Sequence, residues 1–155
     1  MHSRRELLSQ SAKVAAMLAA VGMLPSLAHA QAGGYNTAAF AAKTMPELTK
    51  ALGANAPVES KDVTVTGPDI AENGAVVPVG AATALAGVKR LLILVEKNPT
   101  MLTSMFDVTD AIDANISTRV KMGQSSDVYA VAMMGDGKVL FAKKEIKVTL
   151  GGCGG

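Results

Sequence analysis

The sequence predicts an all-β fold: an antiparallel immunoglobulin-like β-sandwich with an N-terminal helical segment and a flexible C-terminal Gly-Gly-Cys-Gly-Gly arm. Three observations predict it. Beyond Lys61 the chain breaks into six or seven short β-rich runs separated by turn residues, with no long helical period. One run, 116–122, alternates cleanly, with Ile116, Thr118, Val120 and Met122 on one face and Arg119 and Lys121 on the other. The length, 155 residues, suffices for a leader and one ordinary core but not for two. The inter-sheet disulfide common in such sandwiches is excluded, because Cys153 is the single cysteine.

Residues 1–30 read as an export leader. They carry a charged start, an apolar stretch over 14–24, and Ala28-His29-Ala30 before Gln31, where small residues fit a signal peptidase pocket. Cleavage is expected after Ala30. The apolar stretch is about half of the ~20 residues a spanning helix needs, so no membrane anchor is expected. Ser3-Arg4-Arg5-Glu6-Leu7-Leu8 matches the twin-arginine pattern, and Arg4 and Arg5 predict export of the folded chain to the periplasm. A plain secretory leader with two chance arginines is the alternative.

The leader also distorts the overall chemistry. The formal charge is +2, yet three of the 15 basic and one of the 13 acidic side chains lie within it, leaving twelve of each in the mature chain. A neutral domain lacks the cationic excess that phosphate binding requires, so no nucleic-acid partner is expected. Both histidines, His2 and His29, fall in the leader as well. A mature chain without imidazole and with one thiol excludes Ser-His-Asp and Cys-His catalysis, His-ligated haem and ordinary zinc sites.

The remaining elements follow in order. Within 31–60, Asn36-Thr37 caps a helix through Phe40 and Ala42, and Pro46 starts a second helical turn through Leu48 and Leu52, ended by Gly53 and Pro57. The sandwich is expected over 61–150. Val63-Thr64-Val65 is a short strand closed by Gly67-Pro68, and 76–83 is another, placed at an edge or bulge by Pro78. The most apolar run, 88–95, reads as a central strand ended by Asn98-Pro99. Runs 128–134 and 139–150 are joined at Gly135-Asp136-Gly137, a tight-hairpin signal. Met101, Met105, Met122, Met133 and Met134 read as core filling or as an adaptable contact surface.

The chemistry concentrates in 151–155. Cys153 stands between Gly151-Gly152 and Gly154-Gly155, and four glycines leave the backbone free to visit nearly all allowed conformations. Five extended residues span roughly 17 Å at about 3.3–3.6 Å each. A free thiol titrates near ~8.5 and nothing in the local sequence activates this one, so its reactivity must come from outside. An odd cysteine in an exported chain signals an intermolecular disulfide or a reactive thiol. A swinging carrier arm and a structural module that uses Cys153 for a covalent dimer both fit. A carrier loaded at a terminal Gly-Gly carboxylate, as in ubiquitin-like sulfur carriers, conflicts with the export leader and the strand-rich pattern.

The GGCGG end, Ile70-Ala71-Glu72-Asn73-Gly74-Ala75-Val76-Val77-Pro78-Val79, Asn98-Pro99 and Thr118-Arg119-Val120-Lys121-Met122 together make the chain resemble the SoxY family, the sulfur-carrier subunits of periplasmic thiosulfate oxidation. The likeness covers essentially the whole mature chain; the Thr100-Met101 sequence after Pro99 departs mildly from the pattern. The resemblance implies that Cys153 is the covalent attachment site, that Gly151, Gly152, Gly154 and Gly155 provide reach, and that the protein is a carrier without a cofactor or metal of its own. It implies a SoxZ-like sandwich subunit as heterodimer partner and a c-type haem enzyme that conjugates thiosulfate to the thiol. A metal-dependent hydrolase that releases sulfate and a sulfur dehydrogenase are further implied partners. Glu72-Asn73-Gly74 reads as a structural turn tolerant of positive φ or as a contact for processing enzymes. Arg119 and Lys121 read as a solvated strand face or as attraction for an anionic sulfonate.

Overall fold

The computed structural model describes residues 36–150; the proposed leader, with Arg4 and Arg5, and the Gly-Gly-Cys-Gly-Gly segment lie outside them. Two short helices come first. Helix α1 (Thr37–Ala41) is capped by Asn36, whose side chain accepts from the Ala39 N–H, and α2 (Met45–Ala51) by Thr44, which accepts from the Glu47 N–H. Gly53, at φ 67°, lets the chain leave α2.

Nine strands follow: β1 (Pro57–Glu59), β2 (Val63–Thr66), β3 (Ile70–Asn73), β4 (Val77–Thr83), β5 (Val88–Val95), β6 (Leu102–Asp107), β7 (Asn115–Val120), β8 (Ser126–Met134) and β9 (Val139–Leu150). One sheet runs β1-β9-β8-β5-β6, with β3 also on β9, and the other runs β2-β4-β7. This is the predicted all-β, immunoglobulin-like sandwich, with antiparallel pairing everywhere except the short β1 and β3. Those two lie parallel to β9, β1 along its start and β3 along its end.

Between the sheets pack Val77, Val79, Leu91, Ile93, Val95, Met122, Val128, Ala130 and Ile146, all buried. A second apolar layer lies on the outer face of the larger sheet. There Ala39, Ala42 and Leu48 of the helical segment cover Leu92, Leu94, Leu102, Val131 and Val139. Both faces of β5 are therefore buried, which is why its run Leu91–Val95 is apolar without alternation. Met101 and Met122 are buried, and Met105, Met133 and Met134 pack against these layers, so the methionines are core filling.

Several expectations are corrected. β1 falls inside the 31–60 segment read as helical and belongs to the large sheet; its three residues carry no alternation to reveal it. β3 and β6 fall outside the expected strand runs. β4 is the middle strand of its sheet rather than an edge. Pro78 is tolerated because it pairs with Arg119 on the β7 side, while β2 ends opposite Gly80, so no ladder partner awaits its missing N–H. Asn73 and Gly74 do not use positive φ; among the described residues only Gly53, Gly87 and Gly137 do. The β8–β9 hairpin closes as expected, with Gly137 at φ 87° and the Met134 N–H donating to the Lys138 carbonyl at 2.8 Å.

Candidate functional site: the root of the cysteine segment

Cys153 and its four glycines lie outside the described residues, so the site is built from the strand that leads to them. β8 pairs with β9 only as far as Ser126 opposite Ile146. The last four residues of β9, 147–150, extend past β8 and are held by β3 and by loops at the same end of the sandwich. The Lys147 N–H donates to the Asp69 carbonyl (3.0 Å), and the Val148 N–H to Ser125 Oγ (2.9 Å). Thr149 Oγ1 donates to the Glu72 carbonyl (3.0 Å), and the Gly74 N–H to the Leu150 carbonyl (2.7 Å). Val148 packs against the sandwich core, whereas Leu150 is 71% exposed.

Gly74 is the junction. It is buried, and its carbonyl accepts from the Met122 N–H at 2.7 Å while its N–H holds Leu150. Asn73 Oδ1 accepts from the Ala75 N–H at 2.9 Å, an Asx turn that shapes this corner. Asn98 joins the next loop: its Nδ2 donates to the Lys121 carbonyl (2.7 Å), and its Oδ1 accepts from the Gly123 N–H (3.4 Å). The three internal segments that carry the family resemblance, 70–79, Asn98-Pro99 and 118–122, are far apart in sequence and are joined here by a chain of hydrogen bonds that ends at Leu150. Ser125 and Thr149 complete the arrangement and were not singled out from sequence. Their partners are 23 and 77 residues away, so no local pattern announces them.

The electrostatics nearby are superficial. Lys144 Nζ bridges the Gly67 carbonyl (2.6 Å) and Asp69 Oδ1 (2.8 Å), fastening the β2–β3 loop to β9. The hydrogen bond from Lys144, and then its charge, hold the Asp69 carboxyl below the usual aspartate range. Farther along β8, burial and then Glu96, which accepts from the Tyr129 hydroxyl at 3.2 Å, push the Tyr129 phenol above its ordinary value. Arg119 and Lys121 are exposed. Among the described residues no group of three or more His, Cys, Asp or Glu could hold a metal ion, and no helix is long and apolar enough to cross a membrane.

A cleft of about 770 Å³ lies at the opposite end of the sandwich. It is lined by Lys61, Asp62, Leu85, Asp110 and Asp113 among others, where β4 ends and β7 begins. It is remote from Leu150, since β9 crosses the whole sheet between the two ends.

The family model described as "Sulfur oxidation protein SoxY" matches residues 48–153, through Cys153 itself. Among solved structures, the sulfur carrier protein SoxY from Chlorobium limicola f thiosulfatophilum is similar at 31% identity and TM-score 0.60, over 68% of this chain and 94% of that one. A superoxide reductase (neelaredoxin) variant from Ignicoccus hospitalis is similar at 15% identity and TM-score 0.50, over 56% of this chain and 78% of that one, a likeness of fold alone. No curated protein matches the chain. The family match over most of the chain, together with the 31% identical structure, establishes that the chain belongs to the SoxY family.

Proposed function

We propose that this chain carries thiosulfate-derived sulfur covalently on the Cys153 thiol and presents it to separate enzymes in the periplasm. One observation carries the reading: the family match runs through Cys153, and the strand just before that residue is tied down at Leu150. Cys153 is the third residue after Leu150, a reach of roughly 10 Å at about 3.3–3.6 Å per residue. Gly151, Gly152, Gly154 and Gly155 add no side chains that would widen the tether in a narrow channel.

In the first step the Cys153 sulfur bonds to the outer sulfur of thiosulfate. The thiol proton passes to solvent and two electrons pass to a c-type haem enzyme, giving a cysteine S-thiosulfonate. A metal-dependent hydrolase then adds water across the S–SO₃ bond. The water oxygen leaves with the sulfonate as sulfate, and a persulfide stays on Cys153 for a sulfur dehydrogenase or another acceptor. The chain is thus a carrier rather than an enzyme, with no cofactor of its own. A SoxZ-like sandwich subunit is its heterodimer partner, and Arg4 and Arg5 direct export of the folded pair.

The test is the mass of the C-terminal peptide from cells grown on thiosulfate, compared with a Cys153→Ser strain. Sulfur adducts on Cys153, and complete loss of thiosulfate-dependent turnover in Cys153→Ser with fold and partner binding kept, are the expected results. Unchanged turnover in Cys153→Ser would favour a structural module whose cysteine merely forms a disulfide.

A further inference from the structure

We propose that Ser125 and Thr149, together with the Glu72–Ala75 turn, form a clasp that fixes the pivot of the cysteine segment at Leu150, so that Ser125 and Thr149 are positioning residues for the carried sulfur. The inference rests on the carrier reading for its purpose, but the clasp itself is a matter of geometry.

Past Ile146, β9 has lost β8 as a partner, and an unsupported strand end of four residues would fray. Each of the four residues is instead held by a separate hydrogen bond. Lys147 is held by Asp69, Val148 by Ser125, Thr149 by Glu72 and Leu150 by Gly74, all between 2.7 and 3.0 Å. Two of these bonds use a side chain, and each fastens the strand to a different segment. Ser125 belongs to the β7–β8 connection, and Glu72 to β3, just before the chain turns into β4. The Gly74 corner is braced in turn by Met122, and the 121–123 segment by Asn98. The strand end is therefore held from both sides, although Lys147, Thr149 and Leu150 are exposed and little apolar burial secures it.

The consequence is metric. With the clasp closed, Cys153 is the third residue past the pivot, a covalent reach of at most roughly 10 Å. If the strand opens back to Lys147, Cys153 is the sixth residue past the pivot and the maximum reach is about 20 Å. The local concentration of a tethered group falls roughly as the −3/2 power of tether length, so a doubled tether lowers it about threefold at a site within reach of both.

The test uses the mature chain with Ser125→Ala and Thr149→Val combined, and Ser125→Thr with Thr149→Ser as the pair that keeps both hydroxyls. A fluorophore on Cys153 reports the amplitude of segmental motion without any partner enzyme. The expected result is a lower residual anisotropy and faster amide exchange at Val148 and Leu150 in the Ala/Val pair, with values restored in the Thr/Ser pair. In the reconstituted thiosulfate-oxidising system, kcat/KM for the carrier should fall in the Ala/Val pair at unchanged thermal midpoint, by at most the roughly threefold of full opening, because the backbone bonds at Lys147 and Leu150 remain. Unchanged anisotropy and kcat/KM in a folded Ala/Val pair would overturn the clasp, as would an equal loss in the pair that keeps both hydroxyls. If Cys153→Ser retains turnover the carrier reading fails, and the anisotropy comparison still decides the clasp.

Discussion

Replacing Gly67 with alanine isolates one contact beneath the strand that leads to the cysteine. A Cβ at Gly67 would stand 2.8 Å from Ile146 Cδ1, 3.5 Å from the Pro78 carbonyl and 3.7 Å from Val79 Cγ1. Carbon atoms pack at about 3.5–4.0 Å, so the first contact is short by roughly 1 Å while the others are ordinary. Ile146 is fully buried and cannot swing into solvent. Overpacking of this kind costs about 1–3 kcal/mol. Ile146→Val removes the offending Cδ1 and alone costs about 0.5–1.5 kcal/mol for the space it leaves. In the double variant the new methyl occupies that space. Its loss should therefore stay near that of Ile146→Val alone, with a coupling of at least about 1 kcal/mol between neighbours. Urea denaturation of the four proteins, read by circular dichroism at constant m-value, measures the cycle. Additive losses would show that the Gly67–Ile146 contact does not govern the site, and the reasoning from it would fail.

Lys144→Gln should raise the Asp69 titration midpoint toward the ordinary aspartate value, because the hydrogen bond and charge of Lys144 are what depress it. Asp69 is depressed in the folded state, so its contribution is present above the unfolded value of about 3.9 and is lost as pH falls through the lowered folded midpoint. Carboxyl chemical shifts across an acid titration check both points, and an unchanged midpoint in Lys144→Gln would refute the assignment. Separately, Arg4→Lys with Arg5→Lys should leave uncleaved precursor in the cytoplasm, seen by fractionation and blotting; normal export would point to a plain secretory leader.

The strands legible in the sequence are those with their own pattern. β7 alternates, β5 ends in the unbroken apolar run Leu91–Val95, and β8 and β9 flank a glycine hairpin. What stayed hidden depends on pairing between distant segments. β1 and β3 are three and four residues long and exist because β9 offers an edge to each. β6 is masked by Thr103 and Ser104 in its middle. The helices' role could have been read from β5: Leu92 and Leu94 are as apolar as Leu91 and Ile93, which requires cover on both faces, and the helical segment supplies it. At the site, the motif segments stood out in the sequence, but the hydrogen-bond chain that joins them to Leu150 did not. Hydrogen bonds between Gly74 and Leu150 and between Val148 and Ser125 join residues that no local periodicity relates.

β9 also has a mechanical meaning. It is the longest strand, twelve residues, and runs the full length of the larger sheet, flanked by β8 on one side and by β1 and β3 on the other. A pull on the chain beyond Leu150 acts along the strand axis and perpendicular to the ladder bonds. It therefore loads many of them together in shear and does not peel them one by one. A domain withdrawn from a tight channel by this end would transmit the force through its whole sheet and come away folded.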